Sequence, residues 1–186
     1  MVGGATFHKS IRIETVKPNR IKILLDAGDR IAATTQRIEL HANWLHGAPA
    51  RGLKSRVTVA MTPGNAQFKG YEAYTFDDLR TFVPEEEQVL FDGVLDADGA
   101  TSFHMEPQAG RSAPAMVNAN LVTRVFEAGG DASMDRTTVR YYPYATYTGI
   151  QAPKRSNAWG TFNTDTTYTL PVVAIDVNGK SIAGRI

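Results

Sequence analysis

Apolar and polar residues alternate with a period of two along most of the chain, and no window of eleven or more residues carries an apolar stripe at helical spacing. An all-β fold is the expectation. Ile11, Ile13 and Thr15 predict a first short strand and Ile21 to Leu25 a second, while Ile38, Leu40, Ala42 and Trp44 share one side of a third. Val57, Val59 and Met61 mark the next. Leu90 to Leu95 and Thr101 to Met105 flank a turn, Met116 to Phe126 is the longest candidate, and Thr137 to Tyr142 follows it. Seven or eight short strands punctuated by proline and glycine predict an antiparallel β-sandwich, and a barrel fits the pattern nearly as well. The same alternation places Leu40, Trp44, Val59, Leu95, Phe103, Leu121 and Val125 in the core, with Gly47, Gly99 and Gly130 at turns.

Two stretches break the regularity. Residues 62–87 run from Pro63-Gly64-Asn65 to Glu85-Glu86-Glu87 with Phe68, Tyr71, Tyr74, Phe76 and Phe82 between them. Loops of this length are functional, disordered or internally packed, and the aromatics favour packing. A short helical turn at Phe76 to Leu79 is weakly signalled. The second stretch, "LDADGATSF" at Leu95 to Phe103, resembles the opening of a calcium loop, but with Asp96 at position 1 the glycine falls at position 4 and Pro107 at position 12. An EF-hand needs glycine at 6 and glutamate at 12. Asp98-Gly99 instead predicts a two-residue type I′ hairpin turn, and Asn178-Gly179 in "IDVNGKSIA" predicts the same.

The chain also repeats itself. The offset that lays Ile38 over Leu170 carries Leu40, Ala42, Trp44, Gly47 and Gly52 onto Val172, Ala174, Asp176, Gly179 and Gly184. That period is the size of a domain. It predicts that residues from about 147 onward are the opening strands of a second sandwich, with an apolar face and strand edges left uncovered.

Composition narrows the chemistry. With 186 residues and 42% of them apolar, the chain can bury a real core, and 20 basic against 19 acidic residues leave no field to recruit nucleic acid or an anionic membrane. No apolar run is long enough to span a bilayer, and Met1-Val2-Gly3-Gly4 lacks the basic-then-apolar pattern of a signal peptide. Zero cysteines exclude disulfides, zinc thiolates, iron–sulfur clusters and thiol nucleophiles from this chain. His8, His41, His46 and His104 show no H-x-H or HExxH spacing, and the five-residue step from His41 to His46 puts them on opposite faces if both lie on one strand. "GRSAP" and "GDASM" lack the G-x-S-x-G of a nucleophile elbow, and there is neither a Walker loop nor a G-x-G-x-x-G. Asp77-Asp78 and Asp96/Asp98 are carboxylate pairs, which at turns act as solvated caps more readily than as acid–base dyads. Gly129-Gly130 in "EAGGD" predicts a hairpin turn, and basic residues alternating with apolar ones in "SIRIETVKPNRIKI" predict one wet strand face.

Five segments, "IRIETVKPNRIKILLD", "ANWLHGAPARG", "FKGYEAYTFDD", "FDGVLDADGATSF" and "LVTRVFEAGGDAS", follow one another in the order seen in bacterial alpha-2-macroglobulins. The sequence resembles that family over nearly its whole length. The resemblance implies a macroglobulin domain, a seven-stranded antiparallel sandwich similar to fibronectin type III, at 17–146. It implies that 1–16 are a strand or linker from a preceding domain and that 147–186 begin a further, incomplete one. Family members inhibit proteases by offering a cleavable bait segment and collapsing around the attacker, often attaching through a Cys-x-Glu-Gln thioester. Without cysteine this chain cannot contain that thioester, and 62–87 is the only stretch long enough for a bait.

The function expected from these readings is a non-catalytic scaffold and inter-domain contact surface in a broad-spectrum protease inhibitor of the periplasm or cell envelope, that location resting on the resemblance alone. Its partners would be neighbouring domains and, through the whole protein, target proteases, with no nucleic acid and no membrane insertion. No residue is assigned a catalytic, cofactor-binding or metal role, and no cofactor is implied. The alternative from another class is a carbohydrate- or surface-binding sandwich presenting Tyr71, Tyr74 and Trp159, with a β-sandwich glycosidase or esterase behind it.

Overall fold

The computed structural model of the chain describes residues 18–32, 36–78, 80, 86–105, 113–153 and 162–183. The predicted strand at Ile11 to Thr15, the whole of 1–16, His8, Leu79, Phe82, Glu85, Pro107, Trp159 and Gly184 lie outside them. Eleven strands form among the described residues. In chain order these are β1 (Ile21–Asp26), β2 (Arg30–Ala32), β3 (Gln36–Trp44), β4 (Lys54–Pro63), β5 (Tyr74–Thr75), β6 (Gln88–Val94), β7 (Ala100–Met105), β8 (Val117–Phe126), β9 (Ala132–Tyr142), β10 (Thr146–Gln151) and β11 (Val172–Asp176).

Two sheets face each other across the main core. One is ordered β1-β3-β7 and the other β2-β9-β8-β4-β6. Neighbours are antiparallel except β2, which lies parallel to β9 with Ile31 opposite Tyr141. The all-β sandwich expected from the alternation is therefore the observed fold, with one parallel edge pair that the sequence pattern did not announce. Burial follows the pleat most strictly in β8, where every second residue from Val117 to Val125 is buried. Ile38, Leu40 and Ala42 on β3 meet Val57, Val59 and Met61 on β4 and Leu121 and Val125 on β8. Of the residues expected inside, Leu40, Val59, Leu95, Phe103, Leu121 and Val125 are buried, and Trp44 is half-buried against the same cluster. A stacked Phe91–Phe103 pair, ring centroids 5.3 Å apart, joins β6 of one sheet to β7 of the other. Ser133 fastens the sheets at the other edge: its buried hydroxyl accepts the N–H groups of both Arg20 and Ile21 at 3.1 Å.

The turns differ from expectation in one respect. At Asp96 to Ala100 the Gly99 N–H donates to Asp96 O and the Asp96 N–H to Ala100 O, and Gly99 has φ +71 while Asp98 stays at negative φ. This is a three-residue loop, a type I turn closed by a left-handed glycine, not the two-residue type I′ turn predicted. Asn178-Gly179 needs the same correction, since Gly179 alone has positive φ. In both, the leading aspartate carboxylate accepts two backbone N–H groups. Asp96 takes those of Asp98 and Ala100, and Asp176 those of Asn178 and Lys180. An Asx cap of this kind stabilises the type I arrangement and removes the need for positive φ at the second position. Gly47 and Gly130 close loops of the same hydrogen-bond pattern.

The repeat seen in the sequence recurs in the backbone. Trp44 N–H to Ala48 O, Gly47 N–H to Trp44 O and Ala50 N–H to Ala42 O have counterparts in Asp176 to Lys180, Gly179 to Asp176 and Ile182 to Ala174, all between 2.8 and 3.0 Å. The isolated bridge Asn43–Pro49 is matched by Ile175–Ser181. As β3 pairs with β1, so β11 pairs with β10, in a third sheet ordered β11-β10-β5.

Candidate functional site

Residues singled out by their chemistry do not converge. His41, His46 and His104 are exposed, and His46 lies in the turn after β3, stacked 6.2 Å from Trp44, so it does not share a strand with His41 as the five-residue step suggested. Among the described residues no three His, Asp or Glu side chains are grouped to hold a metal, and no helix is long and apolar enough to cross a membrane, which says nothing of a β-barrel. Asp96 and Asp98 are exposed turn residues. A cleft of about 520 Å³ beside Gly52, Leu53, Phe126 and Glu127 has Lys54 and Arg56 on its wall. Both cations are already engaged with Asp92 across the β4–β6 pair.

Convergence occurs instead where residues 62–78 cross the end of the sandwich. This stretch contains β5, which pairs antiparallel with β10, Thr75 opposite Ile150 and Tyr74 opposite Gln151. No helical turn forms at Phe76 to Asp78, contrary to the weak signal there. Phe68 is the hub: its ring lies 4.8 Å from Phe76, 5.8 Å from Tyr142 at the end of β9 and 5.3 Å from Tyr147 on β10. With Ala66, Ala115, Met116 and Ile175 these form a second buried cluster, separate from the main core. Tyr71 and Tyr74 are half-buried and meet edge to face, centroids 5.7 Å apart, so they do not form the flat platform a sugar ring would stack on.

Electrostatics follow the packing. Burial pushes the Asp77 carboxyl above its ordinary value, and N–H donation from Ala66 (3.1 Å to each oxygen) and Met116 offsets part of that rise. Asp77 is thus an internal anchor rather than the solvated cap its sequence neighbourhood implied. Asp92 moves the other way, held low by its hydrogen bond from Arg56 and then by Lys54. Burial also drives the Tyr147 hydroxyl far above its ordinary value, where it accepts the Tyr144 N–H at 3.0 Å.

A carboxyl-detected NMR titration is expected to place the Asp77 midpoint above 3.8 and that of Asp92 below it. For Asp77 the folded state takes up its proton first, so stability rises as pH falls from the raised midpoint toward 3.8. The contribution of Asp92 is present above 3.8 and is lost as pH falls through its lower folded value. Coincident midpoints would show that Asp77 is solvated and not anchoring the crossing segment.

The junction was only partly visible in the sequence. The aromatics of 68–76 signalled packing, but nothing local named Tyr142, Tyr147 or Gly149 as what they pack on. Gly149 has no side chain, and a Cβ there would lie 2.5 Å from the Phe76 ring.

The model of the bacterial alpha-2-macroglobulin MG5 domain matches residues 19–143, well over half of the chain. A comparison against curated protein sequences gives no match. Among solved structures, Salmonella alpha-2-macroglobulin reacted with methylamine is similar at 19% identity and TM-score 0.55, over 90% of this chain and 12% of that one. The native conformation of Escherichia coli alpha-2-macroglobulin gives 18% identity and TM-score 0.55, over 89% and 11%. The Escherichia coli protein activated by porcine elastase gives 17% and 0.56, over 88% and 15%. At these identities the likeness carries the fold, and the chain spans only about an eighth of the length of these proteins. From the family model and the shared sandwich together, the chain belongs to the bacterial alpha-2-macroglobulins, with residues 19–143 matching their MG5 domain.

Proposed function

We propose that this chain is a non-catalytic part of a bacterial alpha-2-macroglobulin-like protease inhibitor, acting as scaffold and inter-domain contact in the cell envelope. The observation that carries this reading is the second cluster: among the described residues, the side chains that converge most strongly join one unit of the chain to another rather than framing a reactive group. Residues 17–146 are read as one macroglobulin-type domain, 147–186 as the start of a further one and 1–16 as a strand or linker from a preceding one. Support for the second unit comes from the hydrogen bonds that the repeat shares between its two copies. The face of β10 and β11 bearing Ile150 and Val172 corresponds through that repeat to the core face of β1 and β3, yet here Leu170, Ile150 and Val172 are exposed. The envelope location rests on the family alone.

The test is to mix the purified chain with excess protease of several specificities, follow cleavage of a protein substrate, and map cuts in the chain by mass spectrometry. Protease activity is expected to be unchanged by the chain, with strands β3, β4, β8 and β9 left intact. Inhibition by the chain alone, or cutting by every protease within 62–78, would replace the scaffold reading with a bait-like one.

A further inference from the structure

Units joined by a short linker are expected to move relative to one another unless a sizeable apolar interface holds them. Only Pro143, Tyr144 and Ala145 separate β9 from β10, so what restrains this joint decides whether it bends. We propose that residues 64–78 are a locking arm that makes the sandwich and the antiparallel β10–β11 pair one rigid body, seated by the absence of a side chain at Gly149. This rests on the reading of the chain as a scaffold of two units.

The arm is rooted in the first unit at both ends. Gly64 N–H donates to Met116 O and Asp78 N–H to Pro114 O, each at 3.1 Å, and the Asp77 carboxylate accepts the Ala66 N–H, closing the arm on itself. Its middle is stiffened by Tyr71 N–H to Phe68 O at 3.0 Å and Tyr74 N–H to Tyr71 O at 2.9 Å. The tip then reaches the second unit in two ways: β5 adds a strand to β10, and Phe68 with Phe76 fills the space beside Tyr147 and Gly149. The Phe76 ring occupies the volume that any other residue at 149 would claim.

Two further contacts restrain the joint. Tyr144 in the linker donates its hydroxyl to Ala113 O at 2.7 Å and its N–H to the Tyr147 hydroxyl, which pins the connection itself. Away from the arm, the Arg30 guanidinium donates to Val177 O at 3.3 Å and to the Asn178 side chain in the turn after β11. Bending toward either side breaks a buried aromatic contact or a charge-assisted hydrogen bond.

The chain has no cysteine, so Ser102→Cys and Lys180→Cys place one nitroxide on β7 and one in the turn after β11 without side labelling. Pulsed electron–electron resonance on the full chain is expected to give one narrow distance. Gly149→Val is expected to unseat Phe76 and at least double the width of the distribution. A second variant, with 66–76 replaced by a glycine–serine linker, removes the arm while leaving β10 and β11 untouched, and should do the same. The main core contains no residue of 64–78, so both variants should retain the first unit. A narrow distance kept in either variant overturns the lock. Because this readout does not depend on protease, it fails separately from the scaffold reading, which the inhibition assay decides.

Discussion

Gly99→Ala is expected to cost about 3 to 4 kcal/mol, while Gly130→Ala, in a loop with the same hydrogen bonds, costs about 1 kcal/mol. Both glycines have positive φ, +71 and +85, and a left-handed alanine costs about 1–2 kcal/mol at either. Their surroundings differ. A Cβ at Gly130 meets nothing within 4 Å, whereas at Gly99 it would press on the Ala42 carbonyl oxygen and lie 2.8 Å from Ala50 N. Those are backbone atoms held in place by Ala42 N–H to Gly99 O and Ala50 N–H to Ala42 O. They cannot rotate away as a side chain would, so a strain of about 1–3 kcal/mol of the kind seen on overpacking adds to the dihedral cost. For a chain of this size each kcal/mol lowers the melting temperature by about 2–4 °C, which separates the variants by several degrees. Thermal melts followed by Trp44 fluorescence in a Trp159→Phe background, where Trp44 is the remaining tryptophan, check this. Equal shifts would mean that β3 and the 49–50 segment yield to the added methyl, and that the close approach at Gly99 has no energetic weight.

Phe68→Ala should cost about 3 kcal/mol, felt in the second unit. Removing a buried phenyl ring typically costs about 3–5 kcal/mol. The lower end applies because Tyr71 and Tyr74, half-buried against the same cluster, can settle into part of the space. Phe68 touches Phe76, Tyr142 and Tyr147, and its Cβ lies 3.7 Å from where a Cβ on Gly179 would stand, so four separate segments lose their common neighbour. The main core does not include it. Amide hydrogen exchange is therefore expected to speed up by about a hundredfold at Tyr147 and Ile175, as a loss of about 3 kcal/mol implies, with Leu121 and Val59 exchanging as before. Uniform acceleration across both clusters would show that the two units unfold together and that the second has no stability of its own.

How far the sequence reaches can be seen by following single elements. Strand β8 was legible almost residue by residue because its alternation is uninterrupted and its burial depends on the pleat alone. The turns at Gly47, Gly99, Gly130 and Gly179 were legible as turns, because glycine adopts the positive φ they need without the strain a Cβ adds. Their loop length was not. Whether Asp98-Gly99 closes a two- or three-residue loop depends on how the chain passes from β6 in one sheet to β7 in the other and on the Asp96 cap, neither of which the dipeptide contains. Strands β2 and β5, of three and two residues, are too short to show any period, and they exist because β9 and β10 offer them edges.

By itself the sequence determined the all-β class, the strand residues at the centre of the main core, the turn positions and the internal repeat, since each of these follows from spacing within a short window or from self-comparison. Only the tertiary structure decided what the segment at 62–78 packs against. Its aromatics announce burial without naming a partner, nothing in the sequence marks Gly149, and Asp77 reads locally as a solvated cap. Their roles are set by Phe76 and by Ala66 and Met116, groups brought beside them by the path of the chain through space. Contacts of that kind have no period and no local signature, because the free energy that selects them belongs to the pair of surfaces and not to either sequence segment.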